Sequence, residues 1–203
     1  MKRTIPGLAL VALAALPLAA GAQSGGGLGL KVGGVFANVS NSGVLPNEMG
    51  SRTGFTAGLA LGTRGGLIGF GAEALFVQNG LSSSAATASL KLNYLSVPAY
   101  LRIGLPTPGV RPFGYVGPQV SFELGCTIGG NTCPADTFGV GGGDRKKTTF
   151  AGVVGTGLRL GGKMGFTIEA RYVYGLTDLK YGTVSSSASY QDRDLLFMAG
   201  ISF

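Results

Sequence analysis

Apolar residues recur at every second position through most of this chain. In GFTIEARYVYGL (165–176), Phe166, Ile168, Ala170, Tyr172, Tyr174 and Leu176 share one parity, and Thr167, Glu169, Arg171, Val173 and Gly175 share the other. That spacing is the period of a β-strand, whose successive side chains point to opposite faces. The last residues repeat it, with Leu195, Phe197, Ala199, Ile201 and Phe203 on one face. The pattern predicts eight strands, at 28–40, 53–62, 67–79, 92–104, 112–124, 148–160, 164–177 and 193–203. Helix-period stripes are missing, and the Gly, Thr, Val and Tyr that fill these segments are poor helix formers.

The connections between the predicted strands are 41–52, 63–66, 80–91, 105–111, 125–147, 161–163 and 178–192, so long alternates with short throughout. Antiparallel strands joined in order put alternate connections at opposite ends, which gathers every long loop at one end and every tight turn at the other. Short turns on one side and long loops on the other are the habit of barrels that cross an outer membrane, with the long loops extracellular. The short connections carry turn chemistry: Thr63-Arg64-Gly65-Gly66, Pro106-Thr107-Pro108-Gly109 and Gly161-Gly162-Lys163. Most of the strands reach the roughly 9–11 residues that a tilted strand needs to cross a bilayer.

Composition sharpens this. The chain is 45% hydrophobic but only 12% charged, against about 25% charged in soluble domains. Glycine makes up 38 of 203 residues, far above its usual share of about 7%, and without collagen's three-residue period. The N-terminus places Lys2 and Arg3 before an apolar run from Leu8 to Ala20, closed by Ala20-Gly21-Ala22. This reads as a signal peptide over 1–22, cleaved after Ala22, with the barrel over 23–203. The alternative of a membrane anchor is disfavoured because the run is shorter than about 20 residues and contains Pro17.

Charge positions then assign the two faces. Glu169 and Arg171 sit mid-strand, and a basic side chain facing lipid at the midplane costs about 2–4 kcal/mol. They are expected to point inward, and the same parity places Lys31, Glu73, Arg102, Glu123 and Arg159 inside. Four basic and three acidic groups nearly balance, as desolvated charges must. An eight-stranded barrel is just wide enough for its own side chains to fill, so a packed polar lumen is expected, with a charge-lined pore as the alternative. Inward glycines such as Gly33, Gly58, Gly69, Gly71, Gly155, Gly157 and Gly175 leave room for the long side chains.

The segments NYLSVPAYLRIGL (93–105), RPFGYVGPQVSF (111–122), GFTIEARYVYGLTDL (165–179) and the terminal MAGISF resemble the small bacterial outer-membrane β-barrel proteins, the porin-family or OmpA-type eight-stranded group. The likeness covers essentially the whole of 23–203 and lies in pattern more than in strict motif. It implies an all-β, eight-stranded antiparallel up-and-down transmembrane barrel in the bacterial outer membrane. It also implies contact with outer-membrane lipid and lipopolysaccharide. The terminal aromatic Phe203, with Ile201, Ala199 and Phe197 before it, matches that family's signal for the barrel-assembly machinery. The family spans adhesion, anchoring, stress resistance and narrow pores.

Chemistry is scarce. The chain has no histidine, which removes histidine triads, histidine metal sites and the commonest general base. Barrel proteases, deacylases and phospholipases rely on a catalytic histidine, so a non-enzyme is expected, with no cofactor and no metal. Gly69-Phe70-Gly71-Ala72-Glu73-Ala74 matches a dinucleotide fingerprint only by glycine abundance, because the strand pattern runs through it. GGGDRKKT (141–148) lacks the glycine directly before the lysine of a phosphate loop. Its Arg145, Lys146 and Lys147 are candidate contacts for lipopolysaccharide phosphates. This cluster has no interleaved aromatics, so no nucleic-acid partner is expected. Cys126 and Cys133, in the longest loop, are expected to form a disulfide in an oxidising envelope.

These features predict a monomeric, non-enzymatic barrel with a filled polar lumen, serving surface interaction or envelope integrity, with an extracellular partner reached through its loops. The alternatives are a narrow pore for small solutes and an exported soluble barrel with an apolar, ligand-holding lumen.

Overall fold

The computed structural model describes residues 26–41, 49–63, 66–83, 89–128, 131–132, 147–161, 164–176 and 190–203. The predicted signal peptide, most of the long loops, Cys133, Arg145 and Lys146 lie outside these. The described residues form an all-β barrel. Its strands are β1 (Gly26–Asn41), β2 (Met49–Thr63), β3 (Ile68–Ser83), β4 (Ser89–Gly104), β5 (Val110–Ile128), β6 (Asn131–Thr132), β7 (Thr148–Gly161), β8 (Gly165–Gly175) and β9 (Tyr190–Ser202). Each long strand pairs antiparallel with its neighbours in sequence, β1 pairs with β9, and pairing of β4 with β5 closes the ring. Closure leaves no bare sheet edge, the condition for strands to cross lipid.

Several strands are longer than hydrophobic alternation predicts. β2 begins at Met49 rather than 53, β5 reaches Ile128 and β9 begins at Tyr190. The backbone ladder continues past the apolar stretch because ladder hydrogen bonds need no apolar side chains. The segment 125–147, expected as a loop throughout, carries the two-residue β6, paired through Thr132 and Asn131 with Thr127 and Ile128.

At the opposite end the three turns are tight. Gly66, Gly109 and Gly161 have φ of +92°, +78° and +91°, a region open to glycine and strained for other residues. The Gly104 N–H donates to the Leu67 carbonyl at 2.8 Å, and the Phe203 N–H to the Leu28 carbonyl at 2.8 Å, so the ladders run to the rim.

Outside, a band of apolar side chains circles the barrel. Leu30, Val32, Leu59, Phe70, Ile103, Val116, Val154, Phe166, Ile168, Phe197 and Ile201 are all exposed, Val116 at 59%. No soluble surface carries a continuous belt of that kind, and an outward apolar band with inward charges is the transmembrane barrel's pattern.

The interior corrects one expectation. It is not polar throughout. Toward the loop end, Val35, Leu75, Val77, Ala151, Val153, Val173, Leu196 and Met198 form a buried apolar cluster, with Tyr94 against it. The inward positions there are simply apolar in sequence, and charge-based parity passes over them. Toward the turn end the interior is charged.

Candidate functional site

The charged layer is built from five strands. β1 supplies Lys31, β3 Glu73, β4 Tyr100, β5 Tyr115, and β8 both Glu169 and Arg171. Strand register places small residues beside the long side chains: Lys31 lies opposite Gly58 and Gly200, Arg171 opposite Gly155, and Glu169 opposite Gly157. Lys31 Nζ donates to Glu73 Oε1 at 2.6 Å and to Glu169 Oε2 at 2.7 Å. Arg171 Nη2 donates to Glu73 Oε2 at 2.7 Å and to Glu169 Oε1 at 3.1 Å. Each cation therefore bridges both carboxylates, and two positive charges offset two negative ones.

Two tyrosines complete the layer. The Tyr100 hydroxyl donates to Glu73 Oε1 at 2.7 Å and the Tyr115 hydroxyl to Glu169 Oε1 at 3.2 Å, while Arg171 Nε donates to the Tyr115 oxygen at 2.8 Å. Their rings lie 4.6 Å apart, and the Arg171 guanidinium stands 5.1 Å from the centre of the Tyr115 ring. Arg171 is 1% exposed, and Glu73 and Glu169 are each 3% exposed. Charges so desolvated persist when paired and hydrogen-bonded on several sides. The layer is a charge-neutral plug across the lumen, with a cavity of about 50 Å³ on the loop side and one of about 70 Å³ on the turn side.

Of the seven residues placed inside by parity, four meet in this layer: Lys31, Glu73, Glu169 and Arg171. Arg159 is buried nearer the turn end. Arg102 is half-buried there, its guanidinium 4.3 Å from the centre of the Phe113 ring. Glu123 lies at the loop end of β5, half-buried, beside an irregularity that sets Tyr94 opposite Glu123 but Asn93 opposite Gly125. That shift turns Cys126 inward, where it is buried. Its expected disulfide partner lies outside the described residues. Lys147 is exposed. Phe197, Ile201 and Phe203 face outward, with Ala199 on the same parity and half-buried.

The parity argument, confined to charges, missed Tyr100 and Tyr115. Tyr100 shares its parity with Arg102, and Tyr115 shares its with Glu123 across a short stretch of strand, so the signal was present. It also missed the polar pair near the loop end, where Asn79 Nδ2 donates to Asp194 Oδ2 at 2.8 Å, and Ser96 and Ser121, whose hydroxyls are 2.9 Å apart. Among the described residues, no group of three or more His, Cys, Asp or Glu side chains is placed to hold a metal ion.

A closed eight-stranded barrel with a lipid-facing apolar belt and a charged interior is the architecture of outer-membrane β-barrels. The chain belongs to the outer membrane protein beta-barrel domain family, whose model matches residues 7–191, and it is a protein of the bacterial outer membrane. No curated protein matches it. Among solved structures it is similar to Ail, the attachment invasion locus protein of Yersinia pestis, at 16% identity over 88% of this chain and 99% of that one, with a TM-score of 0.48. It is similar to Neisserial surface protein A at 20% identity over 87% and 97%, with a TM-score of 0.48. The outer membrane enzyme PagL matches at 11% identity over 84% and 97%, with a TM-score of 0.44.

Proposed function

We propose that this protein is a non-enzymatic outer-membrane barrel, closed to solutes by its ion-pair layer, whose long loops face outward and serve surface interaction or envelope integrity. The observation that carries the closed-lumen reading is the Lys31–Glu73–Glu169–Arg171 quartet, braced by Tyr100 and Tyr115, with only small cavities on either side. The lack of any histidine in the chain supports the non-enzymatic part. In this orientation the turns and both ends of the barrel lie at the periplasm. Arg145, Lys146 and Lys147 then meet lipopolysaccharide phosphates at the outer rim, and Cys126 and Cys133 staple the longest loop. Residues 1–22 direct export, and Phe197, Ala199, Ile201 and Phe203 present the barrel to the assembly machinery.

The test is planar-bilayer conductance of the refolded protein. The expected result is no steady channel at low voltage. Steady single-channel steps, altered when Arg171 or Glu73 is substituted, would replace the closed-lumen reading with that of a narrow solute pore.

A further inference from the structure

The loop-side cavity has two kinds of wall. Leu75, Val77, Ala151, Val173 and Leu196 give it an apolar lining, continuous with the buried cluster beneath. Polar side chains gather on the remaining wall. There the Ser96 and Ser121 hydroxyls lie 2.9 Å apart, and Gln119 Nε2 donates to Ser121 Oγ at 3.1 Å. Asn79 Nδ2 donates to Asp194 Oδ2 at 2.8 Å. The other end of the same amide is different: Asn79 is 8% exposed, and its Oδ1 is buried and accepts no hydrogen bond. A side-chain oxygen withdrawn from water is ordinarily paired, so this one marks a place for a donor from outside the chain. A single water takes about 10–15 Å³ of cavity, so a volume of about 50 Å³ holds about four or five non-hydrogen atoms.

We propose that this cavity binds the end of a small amphiphile: a short aliphatic segment carrying one hydrogen-bond donor, a hydroxyl or a primary ammonium, entering from the loop end. The loop end is the extracellular end in the orientation proposed above, and that assignment alone rests on the previous reading. The aliphatic part lies on Val77, Val173 and Leu196, and the head donates to Asn79 Oδ1. A wholly apolar ligand leaves that oxygen unpaired, and a wholly polar one gives up water for hydrocarbon; both carry a desolvation cost. A molecule with both parts suits both walls. The Asp194 carboxylate, the one charged side chain among the described residues lining the cavity, makes a cationic head admissible as well as a neutral one. The apolar cluster and the quartet lie beneath, so the site is blind and does not lead through the barrel.

The experiment is titration of the detergent-refolded full chain, followed by methyl NMR, with 1-butanol, butylammonium chloride and methyl propyl ether in turn. The ether is an isomer of the alcohol without a donor. The expected result is saturable shifts of the Leu75, Val77, Ala151, Val173 and Leu196 methyls with at least one donor compound, and binding at least tenfold weaker for the ether. The exposed Ile103 and Val116 methyls report partition into detergent and should shift without saturating. Asn79→Leu removes the acceptor and should bring the alcohol down to the affinity of the ether. Ala151→Leu fills the cavity and should abolish saturation with every compound. Retained compaction in cold SDS certifies that each variant is folded. Tighter binding of butylammonium assigns a cationic head, and tighter binding of butanol a neutral one. Linear shifts with all three compounds, an ether that binds as tightly as the alcohol, or unchanged alcohol affinity in Asn79→Leu would overturn the proposal. In micelles the ligand reaches both ends of the barrel, so such a failure leaves the orientation and the closed lumen to the conductance test.

Discussion

Replacing Arg171 by methionine tests the quartet most directly. The side chain is 1% exposed, and its guanidinium reaches Glu73, Glu169 and the Tyr115 hydroxyl at 2.7, 3.1 and 2.8 Å. Methionine fills a similar volume without charge and leaves Lys31 alone between two carboxylates. The layer would then hold one uncompensated negative charge away from water. Removing one partner of a buried pair costs about 3–5 kcal/mol, so Arg171→Met should lose that much. Glu73→Gln alone should also destabilise, leaving an excess of positive charge. The double variant keeps Lys31 on Glu169 at 2.7 Å and is neutral again. It should recover part of the loss, with a coupling of about 1–3 kcal/mol. Urea titrations in phospholipid vesicles, with the folded fraction read from the compact band in cold SDS, supply the numbers. If Arg171→Met stays within about 0.5 kcal/mol of the parent, or if the two single losses merely add, the ion-pair layer contributes nothing and the reasoning fails.

Other outcomes follow from the same geometry. Gly155→Val should destabilise the barrel by at least about 1–3 kcal/mol, because a Cβ there overlaps the Tyr115 ring; Gly152→Ala, with open space around its Cβ, should fold like the parent in the same urea titration. Val116→Arg should cost about 2–4 kcal/mol in vesicles, since Val116 is exposed on the lipid face; no loss would remove Val116 from the membrane belt. If Cys126 and Cys133 are joined, the denatured protein should take up no maleimide until reduced and two equivalents afterwards, and labelling without reduction would refute the staple.

The fold was legible because a transmembrane barrel writes its topology into its loops as well as its strands. The alternation of Phe166, Ile168 and Tyr172 with Thr167, Glu169 and Arg171 marked the two faces of β8, and burial follows that parity from Gly165 to Leu176. Half of the candidate site was legible too. Mid-strand charges such as Lys31 and Glu73 have nowhere to go but inward, whereas their pairing depends on the height at which register sets them. Arg159 and Glu169 have the same parity on adjacent strands, yet Glu169 lies opposite Gly157 rather than Arg159. The apolar layer around Val35, Val153 and Leu196 was not legible, since those strands are apolar on both faces there and alternation fades. Cys126 turned inward through a one-residue irregularity near Asn93 and Tyr94, which no composition marks.

The same registers set glycines beside the long side chains of the lumen, as the strand parity leads one to expect. In the charged half the lumen must hold Arg102, Arg159 and Arg171 together with a lysine, two glutamates and two tyrosines within a ring of eight strands. Several of these side chains have a glycine where a Cβ would strike them: Gly155 beneath the Tyr115 ring, Gly71 beneath Tyr100, Gly165 against the Arg159 guanidinium, and Gly157 against Phe113 and Glu169. Glycine weakens a strand by entropy and by lost packing, so this arrangement persists where the space it clears is filled by groups that brace one another. In the apolar half, medium-sized Val and Leu side chains meet across the lumen and fewer inward glycines are needed. Polar content and glycine content are thus two aspects of one packing solution. A single added methyl group at Gly155 or Gly71 strikes the tyrosines that brace the plug.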